Sequence, residues 1–332
     1  MALTQQQIAM IGVYGELPNV VTNFFTRRIM RGKIPYITNL TTISFEVLSE
    51  YARKAKILQR DAEFPAVKLA GSVIKAVSPE IIKESVPFLA TDQLNRQAGQ
   101  PIYINGKKVD NKKYEQDRRI ATIKNSIQTT QEEISASIML KGSYKSVDTK
   151  NEVKFTYPSE KSVAVTEIKD WSIWTAKQAN EFSKTGKLQP TEVLVGEKVF
   201  NRILSDYNKS SNRVIPATAN KVMTEDGQWE LSLTVNGFTY VMTPNATDTE
   251  GKLIDFSDKM MMYHDLAFLP AFCGLVNVVN KVADLEAIDV LIRETSANEK
   301  TGAAETLGES AYCPLIVNPG LIKVFKFTGL DG

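Results

Sequence analysis

The sequence predicts an α+β fold built around one unusually long helix. One face of a helix is indicated by residues at spacings of three and four, namely Ile120, Ile123, Ile127, Thr130, Ile134 and Ile138. Asn105-Gly106 lies within the segment 102–109, and Asn236-Gly237 stands between apolar residues in alternation. Each Asn-Gly pair predicts a β-hairpin with a type I′ turn. With 332 residues and a hydrophobic fraction of 43%, the chain can bury a substantial core, which we expect to form two packed regions.

Residues 1–39 show no clean helix or strand period. Phe24, Phe25 and Ile29 are apolar, while Gly32 and Pro35 interrupt any helix. Such a segment cannot bury its own aromatic side chains, so it has to lie on the body of its own subunit or on a neighbour. We therefore expect an N-terminal arm that has no anchor of its own.

Residues 40–83 have β character with many interleaved charges. Ile43, Phe45 and Val47 alternate with Ser44 and Glu46, and further strand candidates follow at 66–70 and 73–77. Large apolar groups are few, which predicts a long hairpin exposed to water on both faces. Because an isolated two-stranded hairpin is only marginally stable, we expect it to lean on a partner.

The long helix is predicted to run from about Lys112 to Lys141, with Gly142 as its C-terminal stop. At about 1.5 Å per residue it would span roughly 45 Å, whereas helices of globular proteins average about a dozen residues. Its apolar stripe is narrow, which predicts a helix that rests on a sheet and is not enclosed in a core. Two strand candidates follow at 154–157 and 162–165.

A second region is predicted to begin with a helix that starts at Trp171 and ends at Gly186. A segment at 259–269 is strand-like and contains three successive methionines. The remaining elements are a strand at 191–196, a helix at 197–207, the hairpin that turns at Asn236-Gly237, and closing strands at 314–317 and 322–327.

The chain lacks the residues that most enzyme chemistries need. His264 is the only histidine and no G-x-S-x-G motif supplies a serine nucleophile, so we expect an imidazole hydrogen-bonded at a strand end. Glu132 and Glu133 are adjacent, so their side chains diverge on a helix. No phosphate-binding glycine motif and no EF-hand pattern is present. We predict no catalytic residue, no cofactor and no metal site, and we expect salt-bridge roles for Asp61, Glu63 and Glu84 in the exposed hairpin.

Charge and cysteine content point to no special class of partner. The formal charge is +2 and the isoelectric point is near 8.3, so no strong general attraction to nucleic acid or acidic membranes is expected. Cys273 and Cys313 could pair in a disulfide, but two cysteines in a chain of this length are expected to be free and buried. No signal peptide or membrane span is visible, which predicts a cytoplasm-like compartment. A nucleic-acid face and a solvated surface both remain open for the basic pairs Arg27-Arg28, Lys107-Lys108, Lys112-Lys113 and Arg118-Arg119.

Three stretches of sequence carry a resemblance to a known family. The first is the helix from Arg118 to Ile134 with its exit Leu140-Lys141-Gly142-Ser143-Tyr144. The second is the set of hairpin segments 44–48, 55–58 and 72–79, and the third is the C-terminal pair 313–319 and 324–327. In their order and spacing these stretches resemble the major capsid proteins of tailed double-stranded DNA phages, specifically the family of the lambda-like major capsid protein E.

The resemblance implies the HK97-like capsid fold and a five-part division of this chain. The parts are an N-arm at 1–39, an extended β E-loop at 40–83, a P-domain at 84–166 with its spine helix at about 112–141, a compact A-domain at 167–308, and returning P-domain strands at 309–332. Between about 210 and 308 no residue-by-residue match to the family is found. Some shells of this fold cross-link a lysine to an asparagine, but neither Lys54, Lys56 nor Lys68 can be assigned that role.

The function implied by the resemblance is structural and not enzymatic. The chain would assemble into pentamers and hexamers of an icosahedral head, with packaged double-stranded DNA held by weak non-specific contact. Separate scaffold, portal and decoration proteins would be its other partners, no membrane is involved, and the head would be assembled in the host cytoplasm and carried in the virion. The alternatives are an encapsulin-like compartment shell, a small carboxylate-dependent hydrolase and a DNA-binding module.

Overall fold

The computed structural model describes residues 3–19, 21–47, 73–89, 103–104, 107–108, 110–146, 151–186, 188–209, 219–223, 229–279, 282–298 and 302–330. Within these ranges the α-helices are α1 (Gln5–Glu16), α2 (Phe24–Met30), α3 (Asn111–Lys141), α4 (Trp171–Gly186) and α5 (Glu197–Lys209). The strands are β1 (Tyr36–Ile37), β2 (Ile43–Val47), β3 (Val73–Val77), β4 (Ile82–Leu89), β5 (Tyr103–Ile104), β6 (Lys107–Lys108), β7 (Ser143–Lys145), β8 (Glu152–Lys154), β9 (Lys161–Ala164), β10 (Glu192–Val195), β11 (Asn220–Met223), β12 (Trp229–Val235), β13 (Phe238–Met242), β14 (Lys259–Tyr263), β15 (Phe268–Leu269), β16 (Ala271–Phe272), β17 (Leu275–Val279), β18 (Val282–Glu286), β19 (Leu291–Glu294), β20 (Ala303–Ser310), β21 (Leu315–Ile316) and β22 (Ile322–Thr328).

Helix α3 confirms the predicted long helix and both of its ends. The Asp110 carboxylate accepts a hydrogen bond from the Lys112 backbone N–H at 3.0 Å and caps the N-terminus. Gly142 ends the helix in the left-handed region at φ 74°, and its N–H donates to the Ile138 carbonyl at 3.0 Å. The apolar stripe lies against the three-stranded sheet β19-β20-β4. Gly308 of β20 permits this close approach, since a Cβ there would lie 2.2 Å from Ile123 Cγ2.

The C-terminal part of α3 differs from the prediction of a helix that only rests on a sheet. Every residue from Ile134 to Leu140 is buried, including Ser135 and Ser137. These turns are enclosed because α2 covers the side of the helix that the sheet leaves open. The narrow isoleucine stripe therefore marked only the sheet-facing side of the helix.

A seven-stranded sheet with the order β11-β12-β13-β10-β14-β22-β9 forms the larger half of the core. Trp174 of α4 packs edge-on against Phe325 and Phe327 of β22, with ring centroids 5.0 and 5.5 Å apart. Met260, Met261 and Met262 of β14 are fully buried, since this strand lies between two others of the sheet and is covered on both faces. The predicted β12–β13 hairpin is confirmed, and its turn residues have φ values of 48° and 84°.

The strand pairing does not follow the expected boundaries between the P-domain and the A-domain. Strands β19 and β20, at 291–310, pair with β4 beneath α3, although that range was expected in the A-domain down to residue 308. Strands β9 and β22, expected in the P-domain, are neighbours in the seven-stranded sheet. Sheet order is set by backbone pairing between distant segments, which no local sequence pattern reveals.

The N-terminal segment is anchored on its own subunit, contrary to the expectation of an arm without an anchor. It contains α1 and α2, and α1 begins with a capping box in which the Thr4 and Gln7 side chains bond each other's backbone N–H groups. Phe24, Phe25 and Ile29 are at most 5% exposed and belong to the main core cluster. Of the two supports the sequence left open, the described residues use the body of the same subunit.

The extended hairpin is described only at its base, where β2 and β3 pair in antiparallel register. Ile43 and Phe45 are buried and Phe45 contacts the Phe155 ring, so at the base one face is not exposed to water. The predicted strand at 66–70, and Lys54, Lys56, Lys68, Asp61 and Glu63, lie outside the described residues. Glu84 is not in this hairpin but in β4, where its carboxylate accepts the Ser85 N–H.

Candidate assembly surfaces

The only histidine has a structural partner and no catalytic one among the described residues. His264 follows β14, and its Nδ1 accepts the backbone N–H of Leu266 at 3.1 Å, as the sequence predicted for a strand end. No group of three or more His, Cys, Asp or Glu side chains in the described part of the chain could hold a metal ion. Cys273 and Cys313 are free and buried, and burial raises the pKa of Cys273 to about 11.

The adjacent carboxylates of α3 diverge, and only one of them has a large structural role. Both oxygens of Glu132 accept backbone N–H groups of α2, from Phe25 at 2.8 Å and from Thr26 at 2.9 Å. Glu133 accepts a hydrogen bond from the Thr247 hydroxyl at 3.3 Å. Burial raises the pKa of Glu132 even though these backbone donors favour its charged form.

Two side chains of α3 bind the ends of α1 and α2: the cation Lys124 binds the C-terminus of α1, and the anion Glu132 binds the N-terminus of α2. The Lys124 ammonium donates to the carbonyls of Tyr14, at 2.9 Å, and Leu17, where the C-terminus of α1 carries partial negative charge. Glu132 lies at the N-terminus of α2, where the partial charge is positive. We call residues 4–30 held in this way the N-terminal clamp. Only the Thr-x-x-Gln pattern of its capping box was a signal available in the sequence.

A buried ion-pair network joins the clamp to the seven-stranded sheet. The Arg28 side chain is 1% exposed and makes two hydrogen bonds each to the carboxylates of Glu192 and Glu230. Arg27 also pairs with Glu230, and the Tyr263 hydroxyl donates to Glu192 at 2.6 Å. Burial opposes the charged form of Glu192, but the Arg28 guanidinium outweighs it and lowers the pKa of that carboxyl.

The basic pairs suggested for nucleic acid therefore have different surroundings. Arg27 and Arg28 take part in the buried ion-pair network. Arg119 is buried beneath α3, where its guanidinium donates hydrogen bonds to Thr306 and Glu294. Lys112, Lys113 and Arg118 are exposed at the N-terminal end of α3. The side chains of Lys107 and Lys108 lie outside what the structure describes. None of the described helices is long and apolar enough to cross a membrane.

Ten of the fifteen exposed large apolar side chains among the described residues lie in three segments, and the other five, Ile8, Leu89, Ile173, Leu253 and Leu266, lie elsewhere in the sequence. The ten are Ile34, Tyr36, Ile37 and Leu40 after the clamp, Val222, Met223 and Trp229 at the end of the seven-stranded sheet, and Val276, Val278 and Val282 on the β17–β18 hairpin. The members of each segment are near in sequence or lie on paired strands, although Val282 lies on the face of its hairpin opposite to Val276 and Val278. Contiguous exposed apolar groups mark contact surfaces more often than reactive sites.

Comparison with solved structures identifies the fold of the chain. No protein-family model and no curated protein matches the chain. Among solved structures, a protein assigned as the capsid protein of an Escherichia coli CFT073 prophage matches with a TM-score of 0.54 at 13% identity, covering 99% of this chain and 100% of that chain. This likeness shows that the chain has the capsid fold, of the HK97-like class.

Two further structures are similar but score lower. The mature capsid of bacteriophage PhiM1 matches with a TM-score of 0.48 at 13% identity, over 95% of this chain and 90% of that one. The holo-SrpI encapsulin complex from Synechococcus elongatus PCC 7942 matches with a TM-score of 0.44 at 9% identity, over 98% and 96% of the two chains. At these scores neither match adds an argument to the first.

Proposed function

We propose that this chain is the major capsid protein of a tailed double-stranded DNA phage. Copies would form pentamers and hexamers that close into an icosahedral head around the DNA. The observation that carries the proposal is the full-length likeness in fold to the prophage capsid protein, with both chains covered almost end to end. The order of clamp, extended hairpin, long helix and seven-stranded sheet supports it. On this proposal the chain has no enzymatic activity.

The arrangement of the elements supports a division of labour within each subunit. The N-terminal clamp is held on α3 and on the sheet by charged groups, so it braces its own subunit. The base of the hairpin, formed by β2 and β3, is buried on one face, and about two dozen residues of sequence connect Val47 to Val73. We propose that this outer part, the E-loop, lies over the adjacent subunit, where it finds the support that an isolated hairpin needs.

The five-part division is kept as a proposal with two changes that the strand pairing supports. The part containing α3 would include β4 together with β19 and β20, because the three strands form one sheet. The compact part would include β9 and β22 with α4 and α5, because these strands extend the seven-stranded sheet. The compact part would meet its copies at the capsomer axis.

Self-association is supported by charge and by the placement of apolar groups. Exposed apolar side chains are concentrated in three short segments, and no single segment would hold a partner tightly alone. A closed shell multiplies modest contacts because each copy raises the effective concentration of its neighbours. The formal charge of +2 fits, since a strongly charged subunit would repel its copies.

The remaining partners follow from the same proposal. Packaged DNA would be contacted weakly and without sequence preference by exposed cations such as Lys112, Lys113 and Arg118. Scaffold, portal and decoration proteins would be separate chains. The head would be assembled in the host cytoplasm and remain in the virion.

Electron microscopy and sedimentation of the expressed protein test the proposal. We expect closed particles or capsomers, and in phage lysates we expect particles that contain DNA. A chain that stays monomeric at high concentration with its phage partners present would contradict it. Particles that enclose a protein cargo in place of DNA would instead identify an encapsulin-like compartment shell.

A further inference from the structure

The β17–β18 hairpin is a two-stranded ribbon with two chemically different faces. Its strands pair in antiparallel register, so Val276 lies opposite Leu285 and Val278 lies opposite Ala283. Since side chains alternate between the faces of a strand, these four residues share one face. The other face carries Leu275, Asn277 and Val279 with their partners Glu286, Asp284 and Val282. The ribbon joins no larger sheet among the described residues.

The polar face of the ribbon is attached to the body of the subunit. Leu275 and Asn277 are both 0% exposed, and the Gln7 side chain of α1 donates to Asn277 Oδ1 at 2.8 Å. At the base of the ribbon, the Gly274 N–H donates to the Leu40 carbonyl at 2.9 Å. This attachment fixes which way the ribbon faces, so the opposite face is directed away from α1.

The outward face is apolar and exposed. Val276 is 39% exposed and Val278 is 47% exposed; Ala283 is also exposed and Leu285 is half-buried. No charged or polar side chain belongs to this face of the described ribbon. A ribbon of two strands gains little stability from its own contacts, and a contiguous apolar face on such a ribbon is typical of a surface that another protein covers. We call Val276, Val278, Ala283 and Leu285 the ribbon face.

We infer that the ribbon face is a docking surface for a second copy of this chain. The area argues for this occupant, because four small side chains offer far less than the roughly 800 Å² per partner of a stable binary complex. The partner therefore has to be held in place by further contacts, which neighbouring copies in a shell provide and a lone ligand protein does not. Charge argues the same way, since an uncharged face meets another copy without like-charge repulsion. The inference rests on the proposed self-assembling function.

Cysteine accessibility in assembled particles tests the inference with a matched control on the same ribbon. Val278→Cys places a thiol on the ribbon face, whereas Val282→Cys places one on the opposite face at similar exposure, 47% against 53%. The native Cys273 and Cys313 are at most 2% exposed and contribute little background. A maleimide reagent should label both variants quickly in dissociated subunits. In particles, labelling at position 278 should fall at least about tenfold and labelling at 282 should not.

The outcomes separate this inference from the proposed function. If the wild-type chain forms no particles, the proposed function is wrong, and the inference about the ribbon face is wrong as well because it rests on that function. If particles form and position 278 stays as reactive in them as in free subunits, the ribbon inference alone is overturned. A Val278→Cys chain that keeps its melting temperature but no longer assembles, while Val282→Cys assembles, supports the inference.

Discussion

Removing the Arg28 guanidinium should destabilise the subunit more than any surface substitution. Its Nε and Nη2 lie 2.7 and 3.0 Å from the Glu192 carboxylate, and its Nη1 and Nη2 lie 2.9 and 3.0 Å from the Glu230 carboxylate. Nη1 also donates to the Phe24 carbonyl at 2.9 Å, and the guanidinium lies 3.7 Å from the centre of the Phe24 ring. The cation thus joins α2 to two strands of the sheet and balances two carboxylates that are themselves mostly buried.

The expected loss for Arg28→Met is about 3 kcal/mol in the free energy of unfolding. Breaking a buried ion pair by removing one partner costs about 3–5 kcal/mol, because the other charge is left uncompensated. The lower end applies here, since Arg27 still pairs with Glu230 and the Tyr263 hydroxyl still donates to Glu192. The triple variant Arg28→Met, Glu192→Gln and Glu230→Gln also removes the two carboxylate charges that the single variant leaves uncompensated. It should be at least about 1 kcal/mol more stable to unfolding than Arg28→Met.

Urea unfolding of dissociated subunits measures these losses, followed by tryptophan fluorescence and by hydrogen exchange across α2. The matched control is Arg31→Met, because Arg31 contacts the same Glu192 at 3.4 Å but is 38% exposed. We expect it to lose at most about 1 kcal/mol. A loss below about 1 kcal/mol for Arg28→Met, or a triple variant no more stable than the single one, would refute the reasoning.

Three further substitutions test the clamp and the sheet. Glu132→Gln should weaken the hold on α2 by about 1–2 kcal/mol at neutral pH. Burial raises the pKa of Glu132, so its contribution to stability is complete below the pKa of the unfolded chain and is partly lost as pH rises through the folded pKa. The difference in unfolding free energy between the two proteins should therefore narrow as pH rises above about 4.5 in urea titrations. An unchanged difference would contradict this assignment. Lys124→Met removes the ammonium group that donates to two carbonyls at the end of α1. The variant should lose about 1 kcal/mol in the free energy of unfolding, and hydrogen exchange across α1 should become faster. Equal exchange rates in the variant and the wild type would contradict the proposed role of Lys124 in the clamp. Gly196→Ala should cost more than about 3 kcal/mol, because its Cβ would lie 1.9 Å from the Phe256 carbonyl oxygen. The control Gly15→Ala in α1 has no atom within 4 Å of the new Cβ and should stabilise the subunit by about 0.5–1 kcal/mol. Equal melting temperatures for the two variants would show that the structure relaxes around the new Cβ at position 196 at no cost.

Elements whose signals are local in sequence were predicted well. The isoleucine spacing and Gly142 located α3 to within one residue at its start and at its end. The Asn236-Gly237 pair located the β12–β13 hairpin, because only residues that tolerate positive φ fit a type I′ turn. The backbone pairing of β5 and β6 likewise agrees with the first Asn-Gly hairpin.

Elements whose stability depends on distant residues were missed. The first helices lack a strong apolar period, and they are held by Lys124, Glu132 and Glu192, which lie more than a hundred residues further along the chain. Strand β4 was not predicted at all, although its alternating burial is clear once β20 and α3 lie against it. Propensity alone cannot detect an element that tertiary contacts stabilise.

The sequence by itself determined the class of this protein, the long helix, the hairpin turns and the poverty of reactive groups. These depend on residue type and spacing over a few turns of chain, where sterics and hydrogen bonding act locally. Only the tertiary structure decided that residues 4–30 clamp their own subunit, that β19 and β20 belong beneath α3, and that Val276 and Val278 face water while Asn277 between them is buried. Those outcomes follow from long-range strand register and from the pairing of buried charges, and both need partners that the local sequence does not contain.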